Sequence, residues 1–198
     1  MKKLKKNTQA DTETRDQTDT RGATSSVMAG GSFFSAGAGR SGIYAVAENV
    51  RSLFNVGAIF RSADGVNASG VVLTGFTGAP PRKEISRVAL GADASVPWVY
   101  YPEPVVAIQD LKAHGVAVVA LEDAEDAVDY RSYPYTFPVA FVLGHEVEGV
   151  SDEVLACCDA TVRIPMLGEK VSLNVSVAAG VMMYQLLTAR ERGRGFDG

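Results

Sequence analysis

The sequence predicts an α/β fold in which a parallel β-sheet is covered by helices on both faces. Six short apolar runs alternate with segments of helical periodicity, and this alternation is typical of parallel sheets. The runs are apolar along most of their length rather than at every second residue. That pattern indicates strands that are buried on both faces.

Length and composition favour one globular domain. The chain has 198 residues, of which 46% are hydrophobic and 21% charged. No apolar run reaches the roughly 18 residues that a membrane span requires, and the basic start lacks the apolar core of a signal peptide. Adjacent Cys157 and Cys158 match no zinc-site spacing, and a disulfide between them would be strained. We therefore expect a cytoplasmic protein with two free thiols and no metal.

Residues 1–40 are predicted to form a flexible N-terminal tail, followed by one domain over residues 41–198. The tail is rich in polar and small residues and would bury too little apolar surface to offset ordering. It holds seven basic and four acidic residues, so its net charge is +3, and the total of −4 leaves −7 on the domain. An acidic domain is unusual for a nucleic-acid-binding protein, although the tail could be a basic arm that contacts phosphates.

The strands can be placed in order along the chain. They are predicted at residues 43–47, 70–75, 97–101, 116–121, 139–144 and 160–164. The acidic run from Glu122 to Asp129 separates the fourth and fifth strands and is interpreted as a solvated loop.

Helices are predicted between these strands. The first begins near Asn55, and its apolar residues have the three- and four-residue spacing of a buried face: Val56, Ile59, Phe60 and Ala63. A second spans Pro104 to His114, where Gly115 is a suitable stop. Ser151 opens a short third helix as its N-cap. A final helix follows the loop over residues 165–174, with a polar first turn and an apolar pattern after Ala178.

Three loops lie where a parallel sheet binds ligands, beyond the carboxyl ends of its strands. They are the segment around Asn55, the glycine loop from Gly144 to Gly149, and residues 165–174. The last loop enters a helix whose start offers hydroxyl and amide groups from Ser172, Asn174 and Ser176. Taken alone, this polar helix start fits a capped helix packed on the sheet as well as it fits a pocket wall.

The remaining chemistry centres on one arginine and one glutamate. Arg61 lies more than a turn inside the first helix and is either a surface residue or a fixed cation facing a cleft. Glu146 lies in the glycine loop, which matches neither dinucleotide- nor phosphate-binding glycine motifs. The two histidines, His114 and His145, suggest no catalytic triad. An arginine, a glutamate and a Ser/Asn helix start can together orient a hydroxyl and a sugar-phosphate.

Three segments, in order and spacing, resemble the motifs of a known family. They are Asn55-Val56-Gly57 with Arg61, Leu143–Val150, and Ile164–Ala178. The chain resembles the TrmH/SpoU family of RNA 2′-O-ribose methyltransferases over roughly residues 43 to 190.

The resemblance implies a fold, a cofactor and an assembly. The fold would be an α/β sheet with a deep C-terminal trefoil knot, whereas the strand pattern alone favours an unknotted sheet because knots are rare. The cofactor would be S-adenosylmethionine, held near the backbone of five residues: Leu143, Gly144, Ile164, Met166 and Leu173. The protein would be a homodimer with each site near the subunit interface.

The resemblance also assigns catalytic residues. Arg61 matches the family's catalytic arginine, and Asn55, Glu146, Ser172 and Asn174 would complete the site. Arg61 would act on the ribose 2′-OH as a base or through the neighbouring phosphate, although a guanidinium pKa above about 12 opposes proton removal. The expected activity is methyl transfer to tRNA or rRNA. The alternatives are a non-catalytic RNA-binding protein of the same fold and a nucleotide-dependent α/β enzyme of another class.

Overall fold

Parallel strands form the centre of the structure, a computed structural model that describes residues 30–193. The strands are β1 (Ile43–Glu48), β2 (Gly70–Thr74), β3 (Trp98–Tyr101), β4 (Ala117–Leu121), β5 (Val128–Asp129), β6 (Val139–Leu143) and β7 (Ala160–Arg163). Their order across the sheet is β3-β2-β1-β6-β4-β7-β5, and every neighbouring pair is parallel. The predicted parallel α/β sheet is confirmed.

Helices cover both faces of this sheet. They are α1 (Gly30–Ala36), α2 (Leu53–Gly65), α3 (Lys83–Ala89), α4 (Ala92–Ser95), α5 (Pro104–Ala113), α6 (Asp152–Leu155) and α7 (Val175–Gly193). The core on one face is built with α2, α3, α4 and α7, and the core on the other with α1, α5 and α6. Strand β1 supplies both cores, because Ile43 faces the first and Tyr44 the second. Burial on two sides explains why the strands are apolar along their length.

The six predicted strands agree with the structure to within one residue at each end. Strand β5 was missed because it has two residues and lies inside the acidic run, where it pairs with β7 through Val128 and Val162. Helix α2 begins two residues earlier than predicted. Its N-cap is Ser52, whose Oγ accepts a hydrogen bond from the Asn55 N–H at 3.3 Å. Local capping, not the apolar pattern, sets this boundary.

Ser151 occupies the N-cap position of α6, as predicted, but its hydroxyl does not cap the helix. The hydroxyl instead donates to Glu48 Oε1 at 2.6 Å, and the Ser151 N–H donates to Glu48 Oε2 at 3.1 Å. Glu48 ends strand β1 and is 1% exposed. This buried carboxylate therefore fixes the chain after β6 to the end of β1.

The first helix corrects the predicted boundary between tail and domain at residue 40. Helix α1 lies within the predicted tail, yet Phe33 is fully buried against Tyr44. Gly70 makes room for this ring, because a Cβ on Gly70 would collide with it. The neighbouring Phe34 stacks on His114 with ring centroids 3.9 Å apart. The packed domain therefore includes α1, and the predicted tail over residues 1–29 lies outside the described residues.

Two smaller expectations concern the cysteines and the membrane. Cys157 and Cys158 are both free thiols, as predicted, and burial raises the pKa of Cys158 to about 12. Within residues 30–193, no helix combines the length and apolar character that crossing a membrane requires.

The packing of α1 gives the first prediction. Phe33→Ala should lower the free energy of unfolding by about 3–5 kcal/mol, because a buried phenyl ring is replaced by a cavity. Urea unfolding followed by circular dichroism measures this change. Val106→Ala, which removes a half-exposed side chain from α5, is the control and should change stability little. Equal stability of the two variants would contradict the placement of α1 in the core.

Candidate active site

A cavity opens at the carboxyl edge of the sheet, between the loops that follow β4, β6 and β7. Its volume is about 450 Å³, within the range of small-molecule sites. Its walls include eight of the ten residues predicted for the site: Leu143, Gly144, Glu146, Ile164, Met166, Ser172, Leu173 and Asn174. The glycine loop and the loop before α7, far apart in sequence, therefore line one cavity.

Glu146 joins the loop after β6 to the start of α2. Its Oε2 accepts a hydrogen bond from the Arg51 N–H at 3.0 Å, and its Oε1 accepts one from the Ser52 N–H at 3.1 Å. Oε1 also accepts from Asn55 Nδ2 at 3.0 Å. The carboxylate is thus occupied by three donors from one segment. These contacts make Glu146 a positioning group that holds the first motif against the second.

Asn55 carries the connection on to α7. Its Oδ1 accepts a hydrogen bond from Asn174 Nδ2 at 3.2 Å. The Oδ1 of Asn174 in turn accepts from the Ser176 N–H at 2.9 Å and from the Val177 N–H at 3.4 Å, as an N-cap residue does. The chain Glu146–Asn55–Asn174 therefore links all three sequence motifs through side-chain hydrogen bonds.

The charge of Glu146 is stabilised by this arrangement. Burial acts to raise its pKa, but the backbone N–H groups of Arg51 and Ser52 and the amide of Asn55 outweigh burial. The pKa of Glu146 is therefore lower than usual, so the group is an anion at neutral pH. A carboxylate held in this form accepts hydrogen bonds and is poorly suited to act as a general acid.

The glycine loop has a shape that only glycine permits. A Cβ on Gly144 would collide with the backbone of Gly149, which comes close because the His145 N–H donates to the Gly149 carbonyl at 2.9 Å. Glu122 supports the loop from β4, since its Oε2 accepts the Val150 N–H at 2.8 Å. Gly144, His145 and Gly149 of this turn line the cavity.

Comparison with known proteins decides the family. The profile of the SpoU rRNA methylase family matches residues 42–184, which include all three loops of the site.

The chain belongs to the SpoU rRNA methylase family.

Two relatives illustrate the similarity in sequence. A tRNA (guanosine(18)-2'-O)-methyltransferase of Thermus thermophilus is 40% identical over 156 residues, which cover 76% of each chain. A Staphylococcus haemolyticus protein named as a TrmH family tRNA/rRNA methyltransferase is 36% identical over 138 residues. That match covers 70% of this SpoU-family chain and 55% of the staphylococcal protein.

Two solved structures show the same similarity in three dimensions. The A. aeolicus TrmH/SpoU tRNA modifying enzyme superposes with a TM-score of 0.72 at 29% identity, over 83% of this chain and 84% of that one. AviRb of Streptomyces viridochromogenes, solved in complex with AdoMet, superposes with a TM-score of 0.69 at 28% identity. This match covers 74% of this chain and 57% of that one.

Arg61 lies apart from the other predicted catalytic residues of this SpoU-family chain. It is exposed on α2, and it is not among the residues that line the cavity. Phe54, seven residues earlier on the same side of the helix, is also exposed. The guanidinium therefore points away from the core, and within one subunit the cavity does not include it.

The sequence patterns missed the contribution of β4. Glu122 and Asp123 line the cavity at the end of that strand, and Arg163 at the end of β7 lies opposite, 3.6 Å from Asp123. The acidic run was interpreted as a solvated loop, which is wrong for Glu122 because its carboxylate holds the glycine loop. The position of Glu122 directly after a buried parallel strand is the sequence signal that could have predicted its role in the site.

The lowered pKa of Glu146 gives the second prediction. A group with a lowered folded-state pKa contributes stability that is fully present above its unfolded pKa, about 4.3, and is lost as pH falls through the folded pKa. Glu146→Gln should therefore unfold about 1 kcal/mol more easily than wild type at pH 7. This difference should shrink as the pH is lowered towards 3. Urea unfolding between pH 3 and 7 measures it.

Glu148→Gln is the control for Glu146→Gln. Glu148 belongs to the same loop, but its side chain is 82% exposed and accepts no hydrogen bond from α2. Its Oε2 lies 3.9 Å from His145 Nδ1, a long and exposed contact, so Glu148→Gln should depend on pH much less than Glu146→Gln does. A Glu146→Gln variant as stable as wild type at pH 7 would contradict the positioning role.

Proposed function

We propose that this chain is an S-adenosylmethionine-dependent RNA methyltransferase that modifies a ribose 2′-OH of tRNA or rRNA. The observation that carries this proposal is the hydrogen-bonded chain Glu146–Asn55–Asn174 beside a cavity lined by the second and third motifs. Family membership and the names of both relatives support it. Since RNA and S-adenosylmethionine are both cytoplasmic, we assign the protein to the cytoplasm.

The cavity suits S-adenosylmethionine in both shape and chemistry. Leu143, Ile164 and Leu173 offer apolar surface for an adenine ring, and Gly144 of the tight turn lines the cavity beside them. Glu122 places negative charge on the wall, which suits a cationic ligand. Met166 completes the apolar lining. When bound, the cofactor supplies an electrophilic methyl group on a sulfonium.

The residues around the cavity would act mainly by orientation. Asn55 and Asn174 are fixed by hydrogen bonds at the junction of the three motifs, where they can direct an incoming ribose. Ser172 lines the same wall and adds a hydroxyl group to it. Glu146 holds this arrangement rather than touching the reacting atoms. Most of the rate enhancement would come from positioning and from fixed electrostatics.

We assign Arg61 to hold the RNA rather than to remove the proton. A guanidinium remains protonated in proteins, so its ordinary action is to bind a phosphate or a developing oxyanion. Because Arg61 points away from the cavity of its own subunit, we propose that it serves the cavity of a partner subunit.

A homodimer would place Arg61 of one subunit beside the cavity of the other. Exposed apolar side chains cluster near Arg61 on the surface formed by α2 and α7: Phe54, Val177 and Tyr184, each about half exposed. The two helices pack together, and Gly65 of α2 approaches the Tyr184 hydroxyl. A second copy seated on this surface would bury these side chains and carry its own Arg61 towards the neighbouring site.

The trefoil knot is also a proposal, and the connection between β5 and β6 supports it. After β7 the chain returns to pack α7 against α2. Helix α7 contacts the connection over residues 130–138, because Gln185 Nε2 donates to the Arg131 carbonyl at 3.5 Å and Tyr135 contacts Met182, and we propose that the chain threads beneath that connection. An experimental structure in which α7 lies outside that connection would contradict the knot.

Arg61→Ala provides the third prediction. Transfer of tritiated methyl from S-adenosylmethionine to bulk tRNA and rRNA should fall by at least about 100-fold, because a cation at the reacting group is lost. Calorimetric binding of S-adenosylhomocysteine should be unchanged, since Arg61 does not line the cavity. Arg131→Ala, an exposed arginine paired with Asp129, is the control and should retain activity. If wild-type protein bound S-adenosylhomocysteine but methylated no RNA, the chain would instead be a non-catalytic relative.

The fourth prediction tests the partner subunit's contribution. Arg61→Ala and Asn174→Ala should each be inactive alone, and mixing them under conditions of subunit exchange should restore methyl transfer. In the mixed dimer, one site combines an intact Asn174 with the intact Arg61 of the other chain. Sedimentation equilibrium should show a dimer throughout. Failure of the mixture to recover activity, with subunit exchange verified, would place Arg61 in the site of its own subunit.

A further inference from the structure

Phe76 is an exposed aromatic residue at the rim of the site. It follows β2 at the carboxyl edge of the sheet, and its side chain is 61% exposed. The edge of its ring meets His145, with ring centroids 5.9 Å apart. His145 belongs to the glycine loop and lines the cavity. Phe76 therefore contacts a residue of the cavity wall.

The turn that carries Phe76 is held rigidly. The Phe76 N–H donates to Asn49 Oδ1 at 3.1 Å. Thr77 Oγ1 donates to the Ala47 carbonyl at 2.9 Å and accepts the Val50 N–H at 2.9 Å. Thr77 is 3% exposed, so these bonds are shielded from water. The exposure of the neighbouring phenyl ring is thus built into a fixed turn and does not result from a loose loop.

Exposed basic residues lie on the segments next to this turn. Arg51, Arg82 and Lys83 are all exposed, and none has a salt-bridge partner among residues 30–193. The backbone of Arg51 is held by Glu146, while Arg82 and Lys83 open helix α3 a few residues after Phe76. Unpaired cations beside an exposed ring suit a ligand that combines phosphates with flat apolar surfaces.

We infer that Phe76 is a stacking platform for a base of the RNA substrate, next to the ribose that receives the methyl group. This inference rests on the proposed function and assigns it a residue that recognises the substrate. A single exposed phenyl ring is unremarkable on most surfaces. Here it is held in a fixed turn, contacts the glycine loop and has exposed basic residues on the neighbouring segments, which together favour an RNA base. It also belongs to the loop between β2 and α3, not to the α2–α7 surface proposed for the dimer.

Substitutions at Phe76 separate stacking from simple apolar contact. Phe76→Leu keeps an apolar side chain but loses the aromatic face, whereas Phe76→Trp enlarges that face. Filter binding of bulk tRNA should weaken by roughly 5- to 150-fold in Phe76→Leu, the range seen when base stacking is removed, and should stay near wild type in Phe76→Trp. In the methyl-transfer assay, KM for tRNA should rise in Phe76→Leu more than kcat falls. Leu90→Ala, which alters an exposed apolar residue at the far end of α3, is the control.

Two further measurements distinguish base stacking from a role in supporting His145 and from a contact between subunits. S-adenosylhomocysteine affinity and the sedimentation profile should be unchanged in Phe76→Leu. A fall in that affinity would indicate that Phe76 only supports His145, and a shift towards monomer would indicate a subunit contact; either result overturns the inference. RNA binding and a KM for tRNA equal to those of wild type in Phe76→Leu would also overturn the inference. If wild-type protein transferred no methyl to RNA, the proposed function would fail, and the filter-binding comparison would still decide whether Phe76 stacks on RNA.

Discussion

The carboxylate of Glu146 is the constraint on which the site depends. It accepts the N–H groups of Arg51 and Ser52, which lie just before α2, and so ties the chain after β6 to the chain after β1. These segments are more than 90 residues apart in sequence. Hydrogen bonds to a charged acceptor are stronger than those between neutral groups, so one side chain can fix the relation between two loops.

The connection extends from this anion to the last helix. Asn55 donates to Glu146 with its amide nitrogen and accepts from Asn174 with its amide oxygen. Asn174 also caps α7, so the position of that long helix is coupled to the position of α2. The three motifs form one hydrogen-bonded unit, and its polar groups are held in place before any ligand arrives. Preorganisation of this kind is what a reaction that relies on orientation requires.

Charge is distributed unevenly around the site, which bears on how an acidic protein could act on RNA, as we propose. Glu122 and Asp123 lie on the cavity wall, whereas the exposed cations Arg51 and Arg82 belong to segments next to the turn that carries Phe76. The net charge of the domain therefore says little about any one face. Acidic groups suit a cationic cofactor inside the cavity, and basic groups at the rim suit a polyanion outside it.

The strands, the buried face of α2 and the three loops that carry chemistry could all be predicted from the sequence. Strands buried on both faces and helices buried on one leave periodic apolar patterns, which can be recognised without knowing what packs against them. The order and spacing of the motifs identified the family. Tertiary structure alone decided which partner each polar group takes. Ser151 bonds to Glu48 instead of capping α6, and Glu122 both lines the cavity and supports the glycine loop.

Packing between distant segments decided the rest. Phe33 lies in a polar and small-residue segment, and it is buried only because Gly70, 37 positions later, leaves space for its ring. Arg61 shares its helix with the buried residues Ile59 and Phe60, yet it faces outward because the sheet and the helices beside α2 take the other sides. Such outcomes depend on contacts between residues far apart in the chain, and a local pattern does not contain them.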